Sequence, residues 1–136
     1  MKASWKLTLF LIPALLLGAG CSDDGDDPTN PGDGGADPVS FAADVQPIFD
    51  NNCVGCHGDG GAAGLDLRQG VSHANLVGVA AQASSGDRVV SGDAANSVLY
   101  KRLIGDGVGL MPPGSSLGTS TIELVERWID EGAADN

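Results

Sequence analysis

The run Cys53-Val54-Gly55-Cys56-His57 restricts what this chain can become more than any other part of its sequence. Two thiols three positions apart, followed at once by an imidazole, can each add to one vinyl group of a haem and set the histidine beneath the iron. Other uses of the spacing fit less well. A thioredoxin-like redox pair opens a helix after a strand, whereas the apolar stripe Phe41, Val45, Ile48 and Phe49 predicts a helix that ends at the pair. A zinc site needs a second ligand pair at short spacing, and His73 is the only other histidine. A plain disulfide leaves His57 without a role. The motif therefore predicts one covalently bound haem c, held by Cys53 and Cys56, with His57 as an iron ligand.

A haem also answers a difficulty of composition. The 136 residues suit one small domain, yet only six are aromatic, thin stock for a core. A large apolar disc supplies buried area that the side chains lack. Around it the sequence predicts three to four short helices. In the first, Asp44 is the candidate N-cap, with Pro47 inside the opening turn. Val71 to Leu76 can form a minor turn. Val98, Leu99, Leu103 and Ile104 make another stripe behind Asp93 or Asn96. Ser120 and Glu123 read as a capping box for the last helix, whose stripe Ile122, Val125, Trp128 and Ile129 stops at Gly132. Fourteen of the 21 glycines fall between Cys53 and Gly118, so the middle is expected to be loop.

The formal charge of −11 disfavours nucleic acid, because binding there depends on neutralising phosphates, and an anionic membrane face is disfavoured on the same ground. That charge is unevenly spread. Lys2 and Lys6 precede the apolar run 7–17, which closes on Gly18, Ala19 and Gly20, the layout of a secretory signal over 1–20. Read as a membrane span, 7–20 offers 14 residues broken by Pro13, short of the ~20 that a crossing needs. A Leu-rich segment ending in small residues before a cysteine resembles a bacterial lipoprotein signal, although Gly18 stands where that family usually carries Leu. The resemblance implies a lipidated Cys21 as the first mature residue, with ordinary cleavage near Ala19 as the alternative. Several acyl chains anchor firmly, and Ser22 in place of an Asp directly after the cysteine implies the outer membrane over the inner. Residues 21–38 read as an acidic tether, since six Asp, four Gly and three Pro leave nothing to bury. It is expected to be disordered, with a reach of up to ~55 Å at about 3.3 Å per residue. The remaining domain, 39–136, has five basic and twelve acidic residues.

What occupies the second face of the iron separates electron transfer from gas binding or catalysis. Beyond the signal Met111 is the only methionine, in Gly109-Leu110-Met111-Pro112-Pro113-Gly114, 54 residues after His57. The proline pair stiffens a loop that presents a soft thioether, which predicts Met111 as second ligand. The rival is His73, in a polar run that predicts an exposed side chain. Arg68, Arg88 and Arg102 are candidates for the haem propionates by charge alone, with surface roles as the alternative.

The segments FAADVQPIFDNNCVGCH (41–57), GLDLR (64–68), SGDAANSVL (91–99), Met111-Pro112-Pro113 and WIDEGA (128–133) together resemble the bacterial c-type cytochrome domains of the planctomycete cytochrome group, over nearly all of 39–134. The resemblance implies an all-α, class I cytochrome c fold, in which first and last helices cross beside the haem, with Phe49 packing on Val125 and Trp128. It also implies His57 and Met111 as iron ligands. The expected function is a periplasmic, lipid-anchored one-electron carrier with no catalytic residues, meeting redox partners through basic docking surfaces. The alternative is a five-coordinate haem protein that senses a gas or acts like a peroxidase.

Overall fold

The computed structural model describes residues 37–136. The signal read over 1–20, Cys21 and all but the end of the tether lie outside the described residues. A π-helical turn, Phe41–Val45, runs into α1 (Gln46–Asn52). Then come α2 (Ser72–Leu76), α3 (Val98–Ile104) and α4 (Thr119–Asp130), with 3-10 turns at Ala62–Gly64 and Ala94–Asn96. Among the described residues there is no strand, only the isolated bridges Val77–Val89 and Ala80–Asp87. No helix there is long and apolar enough to cross a membrane. The all-α class and the loop-rich middle agree with the sequence reading.

The two ends of the described residues are clasped by an aromatic cluster. Phe41, Val45 and Phe49 are buried from the first helical segment, and Val125, Trp128 and Ile129 from α4. The ring of Phe41 stands 5.1 Å from Trp128 and 6.2 Å from Phe49, and Phe49, Val125 and Trp128 lie with it in one buried cluster. Hydrogen bonds close the same junction. Asn136 accepts from the N–H groups of Phe41, through its side chain (2.8 Å), and Ala42, through its carbonyl (2.9 Å). Trp128 Nε1 donates to the Ala134 carbonyl at 2.9 Å, and the N–H of Val39 donates to Glu131 at 2.7 Å. Donors that a helix start leaves unpaired thus find acceptors at the far end of the chain.

Several expectations are corrected here. The first helical segment is capped by Ser40, whose hydroxyl accepts from the Ala43 N–H, while Asp44 lies one turn inside and accepts back from the Ser40 N–H. Asp93 caps the 3-10 turn at 94–96, not α3. The box of Ser120 and Glu123 does not form: α4 starts at Thr119, and the Gly118 carbonyl takes the Thr121 and Ile122 N–H groups with no side-chain cap. Ile104 leaves its stripe, 45% exposed, because α3 ends on Gly105 in the left-handed region (φ 74°). His73 is not an exposed side chain. Its ring meets Phe41 edge-on at 5.1 Å, and its Nε2 lies 2.8 Å from the Ala133 carbonyl, which as an acceptor requires Nε2 to donate.

Removal of the Phe49 ring, 1% exposed, leaves a cavity that a well-packed junction cannot close. Phe49→Ala is expected to lower stability by ~3–5 kcal/mol, read from chemical denaturation with unchanged slope. An unshifted midpoint is incompatible with this packing.

Candidate functional site

The pair Cys53 and Cys56 lies where α1 runs out. Cys53 is the C-cap residue of α1, its N–H still donating to the Phe49 carbonyl at 2.8 Å. Its own carbonyl then takes the N–H groups of Cys56 (3.0 Å) and His57 (2.9 Å), winding the five-residue motif into one tight turn. Both thiols are free; Cys53 is half-buried against the core, and Cys56 is exposed. Burial of Cys53, with Cys56 beside it as the lesser cause, pushes its thiol up to about 11.

His57 is fixed at three points. Its N–H is held as above, its carbonyl accepts from the Leu67 N–H at 2.8 Å, and its Nδ1 lies 3.2 Å from the Ala62 carbonyl. A carbonyl only accepts, so Nδ1 carries the proton and Nε2 keeps a lone pair free to bind a metal. The loop can fold back this tightly because of Gly61. A Cβ there would stand 2.8 Å from the His57 Cα and 2.7 Å from the Leu65 carbonyl oxygen, a clash any other residue brings. The dense glycines at 58, 60 and 61 are the sequence signal for this turn.

Met111 sits in a separate loop. Its N–H donates to the Arg102 carbonyl at 2.8 Å, so the last turn of α3 holds it. Arg102 reinforces the loop, donating Nη1 to the Gly109 carbonyl at 3.1 Å, and it also reaches Ser84 at 2.7 Å. Among the described residues no hydrogen bond joins this loop directly to the Cys53–His57 turn. Hollows of about 520 and 280 Å³ border α3 and α2, and none of the four candidate residues lines either. Of the arginines offered for propionates, Arg68 pairs with Asp66 (2.7 Å) and Asp59 (3.3 Å) at the surface. Arg88 is buried, which the sequence reading did not foresee.

The donor set fits a covalently held haem: two free thiols at the required spacing, one exposed for attack, and an imidazole whose tautomer leaves Nε2 available. In the haem-free chain the raised thiol of Cys53 leaves about one molecule in a thousand as thiolate at pH 8. Iodoacetamide at that pH is expected to label Cys56 well before Cys53, and Cys53 labelling to quicken about tenfold per pH unit until near 11. Equal rates at the two cysteines, by peptide mass mapping, are inconsistent with the burial described.

Residues 53–115 match the family described as Planctomycete cytochrome C, while α1 and α4 fall outside the match. Comparison with curated proteins and with solved structures returned no match. The matched segment contains both thiols, the imidazole and the Met111 loop, and over these residues the chain is similar to the planctomycete cytochrome c family, in which a covalently bound haem c is implied.

Proposed function

We propose that this protein is a one-electron carrier of the cell envelope, with haem attached at Cys53 and Cys56 and ligated by His57 and Met111. The observation that carries the reading is the His57 imidazole, hydrogen-bonded through Nδ1 to the Ala62 carbonyl so that Nε2 is the free donor. Haem supplies an iron that alternates between ferric and ferrous states and so carries single electrons. The residues of the chain hold and tune that group. A hydrogen bond at Nδ1 fixes the orientation of a ligating imidazole and strengthens it as a donor. The thioether of Met111 is soft and favours the ferrous state relative to a second histidine. Its backbone is tied to α3 at the Arg102 carbonyl, and Pro112 and Pro113 limit how far the loop can wander. His73, the rival ligand, already donates Nε2 to Ala133 and packs its ring on Phe41. Two ligands held through backbone hydrogen bonds suit a centre that must change charge with little rearrangement. The domain over 39–136 has more than twice as many acidic as basic residues, which favours partners with a basic docking face.

Anchorage belongs to the same proposal. A lipid on Cys21 at the end of an acidic tether keeps the domain at the periplasmic side of the envelope, on the outer membrane, within reach of more than one partner.

The test of the mechanism is optical. Ferric wild-type protein is expected to show the weak red-edge band of thioether-ligated haem, and Met111→Ala to lose it while keeping the covalent haem. A wild type without that band is five-coordinate or otherwise ligated, which favours the gas-sensing or peroxidase-like alternative and ends the carrier mechanism as stated. Anchorage is tested by fractionation. Cys21→Ser is expected to move the protein from the membrane to the soluble periplasmic fraction, and a wild type already soluble excludes the lipid.

A further inference from the structure

Arg88 is 6% exposed, and among the described residues no carboxylate lies within ion-pair distance of it. Its guanidinium faces backbone carbonyls only. Nη1 donates to Asn75 at 2.7 Å, and Nη2 to Ala63 at 3.2 Å and Gly64 at 3.0 Å. Burying a cation without a counter-charge costs free energy that an exposed arginine avoids. What the fork provides in return is a fixed arrangement of several acceptors at once.

Two of those acceptors belong to the 3-10 turn Ala62–Gly64, whose first carbonyl, that of Ala62, holds Nδ1 of His57. The turn needs holding. Ala63 is in the left-handed region at φ 57°, which an L side chain rarely adopts, and Gly64 follows at φ 62°. The backbone of Arg88 is engaged on the other side. Its N–H donates to the Val79 carbonyl at 2.7 Å, and its carbonyl accepts from the Leu99 N–H, at 2.9 Å, in the first turn of α3. The last turn of α3 holds Met111 through the Arg102 carbonyl. A connected run of hydrogen bonds and helix thus leads from His57, through the 62–64 turn and Arg88, to α3 and Met111.

We infer that Arg88 is the positioning residue for the iron-ligating histidine: its guanidinium fork clamps the Ala62–Gly64 turn and thereby fixes the Nδ1 hydrogen bond of His57, while its backbone sets α3, and with it the Met111 loop, against the same point. The inference rests on the haem reading above, for His57 as ligand.

The experiment is proton exchange in the ferrous holoprotein, followed by NMR at the His57 Nδ1 proton, with core amides of α4 as internal reference. In Arg88→Met, which keeps the length and loses the fork, that proton is expected to exchange about tenfold faster or more, the loss of roughly one buried hydrogen bond, while the α4 amides change little. Arg88→Lys, which retains charge but not the fork, should accelerate it in the same direction. Arg127→Gln, at an exposed pair with Glu131, should not. Exchange at His57 unchanged in Arg88→Met, or accelerated only in step with the α4 amides, overturns the positioning role. So does a lysine variant indistinguishable from wild type. If the variants fail to fold, the wild type still decides: the Arg88 guanidinium protons must exchange more slowly than those of Arg127, and equal rates overturn the clamp. A purified wild type without covalent haem is a different result, and it refutes the proposed function rather than the clamp.

Discussion

The clasp between the two ends of the described chain sets the terms for everything between them. Phe41 lies against Trp128, Phe49 and His73, and these rings make up most of the aromatic content of the domain. Aromatic rings bury the largest area per residue, so concentrating them at one junction secures the helices that bracket the chain. The long stretch between α1 and α4 adds Leu67, Leu76, Val89, Ala94 and Leu103 to the same core rather than building a separate one. It can be rich in glycine and can spend its residues on loops shaped by hydrogen bonds.

Those loops are ordered by polar groups placed inside the fold. Gln46, buried in α1, donates to the Leu67 carbonyl at 3.0 Å and accepts from the Ser72 hydroxyl, tying α1 to the chain that follows the His57 turn. Ser97, fully buried, receives the Val90 N–H at 2.8 Å and donates to the Asp93 carbonyl. Among the described residues no buried side-chain nitrogen or oxygen lacks a partner. In a protein whose middle has few large side chains, satisfied polar contacts of this sort specify one loop path among many, since each misplaced path strands a buried donor or acceptor.

How much of this could be read from the sequence follows from how local each cause is. Cys53, Cys56 and His57 declare their chemistry because both thiols and the imidazole lie within five residues, and the stripes of α1 and α4 declare themselves by the helical period. The caps were misread, for Ser40 and Asp44 are both plausible from sequence, and only the π-helical first turn places Ser40 outside and Asp44 within. For α4 a backbone carbonyl took the place of the expected side-chain box, and sequence has no mark for that. His73 and Arg88 were unreadable for a stronger reason. Each gains its role from a partner more than ten positions away, Ala133 in one case and the 62–64 turn in the other, so that polar neighbours in sequence gave the wrong environment.

The same distinction bears on how such a domain could serve as an electron carrier. In the proposed ligand pair, a side chain held only by its own packing would shift when the neighbouring charge changes, whereas His57 is held at its N–H, its carbonyl and its ring nitrogen, and Met111 at its N–H. The His57 backbone is anchored to Cys53 and Leu67 and its ring to the 62–64 turn, while the Met111 backbone is anchored to α3. An acidic exterior, a loop-built interior and a proposed centre positioned by hydrogen bonds are, on this view, separate features, each free to change without unsettling the others.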